Sequence, residues 1–262
     1  MIMANYHTHT SRCGHAVGTD RDYVEAALSA GYSILGFSDH VPWPYRNGFT
    51  HRKVRMVVSQ LEGYLRSVRA LREEYRDRIR IYAGFECEYF PEYMDWLRDM
   101  KESAGLDYLI LGNHFDMTDD GGMYFGNTRT AEQLRRYTEL TCRGLETGLF
   151  RYLAHPDLFM RCYPGYDENV RAASRDLCQC CLELGIPVEY NLHDRFIYPL
   201  TRRISYPTRE FFEMARGMGL EVIVGIDAHD PEELRDHTQW DRAQQELKDY
   251  GDQLLRVLPG LD

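Results

Sequence analysis

No stretch of the 262-residue sequence approaches the roughly 18 consecutive apolar residues that a membrane span requires, and no positively charged leader precedes an apolar segment. A membrane partner is therefore not expected, and a cytoplasmic location is. Basic residues are in deficit: 31 Lys and Arg against 41 Asp and Glu leave a formal charge of −10. Proteins that live on nucleic-acid phosphates usually show a basic surface, so no nucleic-acid partner is expected. The same charge does not exclude a small phosphorylated substrate, because a few metal ions reverse the local sign. Low-complexity linkers, internal repeats and blocks of like charge are absent, which reads as one domain over residues 1–262. A hydrophobic fraction of 44% is enough for a sizeable core.

The seven cysteines are scattered, and the cluster CQCC (178–181) falls in a helix-like segment whose spacing is not repeated elsewhere. A closed zinc site of the paired Cys-x-x-Cys kind is therefore not supported, and buried, reduced thiols are expected. No G-x-S-x-G elbow is present, and no cysteine sits in a phosphate-cradling loop, so a Ser or Cys nucleophile is not expected.

What is present is an alternation. Short apolar runs (2–7, 33–40, 80–88, 107–114, 151–156, 187–193 and 220–229) are separated by helix-like segments such as 20–31, 54–75, 130–148, 168–185 and 208–219. The first of these segments is read as capped by the acidic Asp20. Such alternation indicates parallel strands with crossover helices. Seven runs in this length predict an α/β fold, a closed or nearly closed barrel.

Potential metal ligands arrive at the C-terminal ends of these runs: His7 and His9, Asp39 and His40, Glu86 and Glu88, His114, His155, and finally Asp227 and His229. Glu189, Asn191 and His193, at the sixth run, rank lower as ligands. The C-terminal rim of a parallel barrel is where such folds place their chemistry. Residues two apart on a strand point the same way, so His7 and His9 can aim at one ion. A single histidine at a strand end is commonly a hydrogen-bonded structural residue, but a set this large exceeds what one ion can use. Imidazole and carboxylate without thiolate suit zinc, manganese or iron. Two or three divalent ions are expected.

The motifs HTHT (7–10), SDH (38–40), GFECE (84–88), GNH (112–114), AHPD (154–157) and GIDAHD (225–230) together resemble the polymerase and histidinol phosphatase (PHP) family. The resemblance runs from residue 5 to about 234. Within the family the likeness is to the histidinol-phosphatase group, which pairs HTHT with a short C-x-H stretch, here Cys13-Gly14-His15. It implies a distorted, TIM-like (β/α)7 barrel with a trinuclear metal centre. It further implies that His7, His9, Glu86 and Asp227 hold one ion and that His15, His40 and His229 hold a second. Glu86, as a bridge, would join His114 and His155 at the third. The implied reaction is hydrolysis of L-histidinol phosphate to L-histidinol and phosphate, a step of histidine biosynthesis.

Metal ions about 3.5–4 Å apart lower the pKa of a bridging water and stabilise both attacking and leaving oxygens, so a metal-bridging hydroxide is expected to attack phosphorus directly. Asp39 is a candidate proton donor, with a turn residue or a carboxylate orienting an imidazole as its other readings. Arginine suits a phosphate anchor by its forked geometry, and Arg161 is the first candidate, with Arg195 and the pair Arg202–Arg203 as rivals. Glu88, Asn191 and Arg195 are candidate substrate contacts, with Glu88 read also as a ligand or as a buried acid hydrogen-bonded to its neighbours. Glu88, Asp116 and Asp194 are acids that could meet a cationic amine or stand as solvated loop charges. The stretch VEYNLHDR (188–195) departs from the pattern of histidinol phosphatases, where small residues follow EYN, and so leaves another small phosphate ester open as substrate. A metal-dependent amidohydrolase is disfavoured because DYLILGNH (107–114) offers no bridging lysine. A non-catalytic metal-binding module remains the reading from outside enzymology. Oligomeric state is not legible.

Overall fold

The apolar runs form parallel strands, and a computed structural model describes them within residues 2–197 and 205–261. The strands are β1 (Ala4–Asn5), β2 (Ile34–Phe37), β3 (Arg80–Cys87), β4 (Tyr108–Leu111), β5 (Val188–Asn191), β6 (Val222–Gly225) and β7 (Leu254–Leu255). β1 to β4 pair in sequence order, and β5 pairs β6, which in turn pairs β7. The fifth apolar run contributes no regular strand. Its Leu153 alone bridges Leu111 at the end of β4 and Val188 of β5. The ring closes where Thr8 bridges Ala228, with His9 N donating to Ala228 O at 2.8 Å and Ala228 N to His7 O at 3.1 Å. The expected seven strand positions are therefore filled, one of them by a single bridge.

Around the ring lie α1 (Asp20–Ser29), α2 (Leu61–Glu74), α3 (Met94–Ser103), α4 (Ala131–Leu145), α5 (Glu168–Leu184), α6 (His193–Ile197), α7 (Arg209–Met218), α8 (Pro231–Arg235) and α9 (His237–Glu246). Two sequence expectations need correction here. The cap of α1 is Thr19, in a reciprocal box with Asp22, because Asp20 is taken by Arg12. The helix expected from residue 54 begins its α-helical turns only at Leu61. Residues 51–56 instead run beside the site, and Arg55 enters the interior.

Side-chain alternation separates two cores. Ala4, Tyr6, Ile34, Tyr108, Ile110, Tyr152, Ala154 and Ile223 fill the ring together with Leu258 and Leu261. Tyr82 donates its hydroxyl to Leu261 O at 2.9 Å, so the C-terminal residues close the end opposite the histidines. The alternate residues, such as Leu35, Phe37, Leu109, Leu111, Val222 and Val224, pack outward against the helices. The polar strand ends are left to gather at the other mouth.

Candidate metal centre

Each ligand candidate is placed by the strand that precedes it. Beyond β1, the backbone pairs with Ala228 on one side and with Ser38 on the other, where Ser38 N donates to Thr8 O at 2.9 Å. This double pairing sets both His7 and His9 on one face. Glu86, the last residue but one of β3, is fully buried beside Gly112, where an added Cβ would lie 1.9 Å from Glu86 Oε1. His155 and Asp227 stand at φ of 29° and 55°, in the left-handed region that non-glycine residues seldom adopt. Such backbone persists where the surroundings hold it, and here it accompanies two side chains of the centre.

The donor atoms converge. His7 Nε2 and His9 Nε2 are 3.1 Å apart. Asp227 Oδ1 lies 3.3 and 3.1 Å from them, and Glu86 Oε2 lies 3.5 and 3.4 Å from them. Donors around a tetrahedral ion at about 2.0–2.1 Å stand about 3.3–3.4 Å from one another, and these five separations are close to that. The other oxygen of Glu86 faces a different group: Oε1 is 2.8 Å from His155 Nε2 and 3.4 Å from His114 Nε2. His15 Nε2 and His229 Nε2 face each other at 3.0 Å. His40 Nδ1 faces Glu86 Oε2 at 3.0 Å, and one nitrogen each of His9, His40 and His229 lie within 4.8 Å of one another.

The far sides of these rings are equally informative. His7 Nδ1 donates to Glu189 Oε1 at 2.9 Å, and His114 Nδ1 donates to Glu88 Oε1 at 3.1 Å. His15 Nδ1 donates to Lys53 O at 3.1 Å and His229 Nδ1 to Asp227 O at 2.9 Å. Carbonyls and carboxylates only accept, so each of these rings carries its proton outward and turns the Nε2 lone pair inward. That is the arrangement of metal-ligating histidines, whose second nitrogen is held by a carboxylate or carbonyl. Asp227 Oδ1 is buried and accepts no hydrogen bond, as expected of an atom shaped for a cation. The donor set therefore fits divalent ions.

The electrostatics follow the crowding of acids and imidazoles, with opposite directions for different rings. Burial alone would raise Glu86, but the imidazoles of His114, His7 and His40 hold it well below the usual carboxylate range. Burial works against a charged His9, yet Asp227 and Asp39 push it up to about 9. Burial, with His9 alongside, drives His40 and His229 well below the usual imidazole range and keeps their lone pairs free. Burial and the nearby Asp39 push the Cys13 thiol up to about 12, and its sulfur lies within 4.8 Å of one nitrogen each of His15 and His229.

The rings open onto a cavity of about 360 Å³, lined also by Lys53, Phe115, Tyr124, Arg161, His193 and Tyr206. Arg161 stands at its wall and donates to the Tyr124 hydroxyl at 3.1 Å. Several other expected contacts lie elsewhere. Glu88 is buried behind His114 and paired with Arg55, out of reach of a substrate. Asn191 donates to Glu189 Oε2 at 2.7 Å and to Asp227 Oδ2 at 3.1 Å, which holds Asp227 from behind. Arg195 is turned away to Glu246 of α9, at 2.7 Å, and lines a separate cavity. Asp39 is fully buried, accepts from Thr10 N and His40 N, and lies 3.7 Å from His9 Nδ1. It backs His9 and does not line the cavity. Arg202 and Arg203 fall outside the described residues. Glu189, ranked low as a ligand, emerges as the support of His7. Its two-residue spacing from Asn191 on β5 signals a shared face, though not which side of the imidazole it occupies.

Known proteins share this arrangement of strands. The model of the PHP domain matches residues 5–193. Asp227 and His229 lie beyond that segment and enter the centre because the end of β6 closes on β1. The chain is 27% identical over 264 residues to a probable histidinol-phosphatase of Deinococcus radiodurans, covering 95% of this chain and 94% of that protein. It is 33% identical over 118 residues to the histidinol-phosphatase of Bacillus subtilis, covering 43% and 44% of the two chains. The histidinol phosphate phosphatase of Lactococcus lactis, solved with zinc, L-histidinol and phosphate, shares the fold at a TM-score of 0.73 and 18% identity, over 99% of this chain and 98% of that one. By the extent of the family match, this chain belongs to the PHP domain family.

Proposed function

We propose that this chain is a metal-dependent phosphomonoesterase and that its substrate is L-histidinol phosphate. The observation that carries the reading is Glu86, whose two oxygens face two separate groups of imidazoles. One carboxylate can thereby serve two ion positions. His7, His9, Glu86 and Asp227 are assigned to one ion, His15, His40 and His229 to a second, and Glu86, His114 and His155 to a third. Zinc, manganese or iron at these positions would lower the pKa of bound water and offset charge on the phosphoryl oxygens.

The chain's own residues orient and anchor. Glu189, Glu88 and the carbonyls of Lys53 and Asp227 keep the imidazole lone pairs turned inward. Asp39 is assigned to positioning His9, since its oxygens are occupied and it has no path to the cavity. Arg161 anchors the phosphate dianion, with Tyr124 fixing the guanidinium. Removing a hydrogen bond to a charged group costs about 1.5–3 kcal/mol, so Arg161→Ala is expected to raise KM about 10- to 100-fold, with partial recovery in Arg161→Lys. Steady-state kinetics of the three proteins check this.

Bound ions should also hold the fold. At a free concentration about 1,000 times Kd, each ion adds about 4 kcal/mol, or about 10 °C of melting temperature for a domain of this size. Chelation is expected to lower the calorimetric midpoint by at least that amount, and an unchanged midpoint would contradict tight binding.

The names of the relatives support histidinol phosphate. A second reading, another small phosphate ester, is favoured by the cavity wall. Among the described residues the carboxylates lining it, Glu86 and Asp227, both belong to the ligand set, while Lys53 and Arg161 are cationic. The deciding experiment is a panel of phosphomonoesters with Mn²⁺ or Zn²⁺, setting histidinol phosphate against phosphoserine, nucleotides and sugar phosphates. Preferential turnover of histidinol phosphate supports the first reading; equal rates leave the general phosphoesterase.

A further inference from the structure

We propose that Arg55 is a positioning residue of the centre: its guanidinium fixes Glu88, and Glu88 fixes His114 with Nε2 toward Glu86. The inference rests on the metal-centre reading above and adds to it a residue that touches neither ion position nor substrate.

Arg55 is only 2% exposed, and its donors reach three separate parts of the chain. Nε donates to Asp119 Oδ2 at 2.9 Å, in the loop after β4. Nη1 donates to Val41 O at 3.0 Å, just after β2. Nη2 donates to Glu88 Oε1 at 2.8 Å, with Nη1 on Oε2 at 3.3 Å, beyond the end of β3. Trp43 Nε1 adds a donor to Glu88 Oε2 at 2.8 Å. Glu88 is fully buried, so its rotamer is set by these partners. Its Oε1 is shared between Arg55 Nη2 and His114 Nδ1, at 2.8 and 3.1 Å.

The shared oxygen distinguishes positioning from simple cross-linking. Three loops could be tied together by any well-packed group, and a buried ion pair is an expensive way to do so. Here the same oxygen that takes the guanidinium also selects which nitrogen of His114 carries its proton. The segment reaches a second imidazole as well, since Lys53 O, two residues before Arg55, accepts from His15 Nδ1. Asp119, on the other side, takes His51 Nδ1 at 3.0 Å and the Tyr45 hydroxyl, so the guanidinium is held at both ends.

The test compares Arg55→Met, Arg55→Lys, Glu88→Gln and the double variant R55M/E88Q by Zn²⁺ titration calorimetry and by metal content after desalting. Loss of a partner that orients a metal ligand typically costs 10- to 100-fold in affinity. Arg55→Met is therefore expected to weaken one ion position by about that factor and leave the others near wild type, with Arg55→Lys between. Because Arg55 acts through Glu88, the double variant is expected to bind no more weakly than Glu88→Gln alone. A folded Arg55→Met with the full complement at wild-type affinity would overturn the proposal. Should that variant not fold, a further loss in the double variant beyond Glu88→Gln would overturn it instead. The ¹⁵N spectrum of the metal-free histidines reads the same point without any ion. His114 should carry its proton on Nδ1 in wild type and lose that fixed state in Arg55→Met, and an unchanged His114 signal would also sink the idea. Wild-type protein that takes up no divalent ion would fail the metal-centre reading, whereas normal uptake in both proteins would fail this inference alone.

Discussion

Replacing Glu86 by glutamine is expected to lower turnover by about a thousandfold, equivalent to about 4 kcal/mol in the barrier, and to reduce bound metal. Glutamine keeps the size and hydrogen-bonding span of the side chain but has only one acceptor oxygen. Glu86 uses both of its oxygens, Oε2 toward His7, His9 and His40 and Oε1 toward His114 and His155. Whichever group meets the amide –NH₂ loses its acceptor, so no rotamer rescues both. Kinetics and metal content, with circular dichroism to confirm folding, measure this. A variant with wild-type turnover and metal content would contradict the bridging role.

Gly112→Ala is expected to cost about a hundredfold in kcat without replacing any ligand residue. An added Cβ would sit 1.9 Å from Glu86 Oε1 and 2.5 Å from its Cδ, so the carboxylate must move. Displacements of about 1 Å at a catalytic group cost on the order of 10² in rate. Gly112 does not occupy the left-handed region, so the effect is one of space and not of backbone strain. Gly63 of α2, with nothing within 4 Å of its added Cβ, is the control, and Gly63→Ala is expected to leave activity unchanged. Equal rates for wild type and Gly112→Ala would show that Glu86 has room to spare.

Much of this was legible in the sequence, and the failures share a cause. A two-residue period and a polar strand end identify which segments join the ring and which side chains reach its mouth. That logic brought His7, His9, His40, Glu86, His114, His155, Asp227 and His229 to one mouth, and the family resemblance added His15; the structure gathers all nine. Spacing cannot tell whether a polar residue stands before an imidazole or behind it. Glu88 and Asn191 were read as candidate substrate contacts and Asp39 as either a proton donor or a carboxylate orienting an imidazole, and all three back the cluster from inside the protein. Arg195 followed a ligand-rich strand, but α6 turns it toward Glu246 on α9, a helix that the hydrophobic pattern did not reveal. Arg55 carried no local signal, because its partners at 88 and 119 are far away in sequence. The fifth strand was overestimated for a similar reason. Only Leu153 finds neighbours on both sides, and the chain then turns at His155 in a left-handed conformation.

The most direct measurement is the release of inorganic phosphate from L-histidinol phosphate by one protein preparation, followed before chelation, after chelation, and after Mn²⁺ or Zn²⁺ is restored. Release is expected from the loaded protein, to be lost on chelation, and to return with the metal. Hydrolysis that continues unchanged in the chelated protein, or no phosphate release from folded protein carrying its ions, would contradict a metal-dependent phosphomonoesterase acting on this substrate.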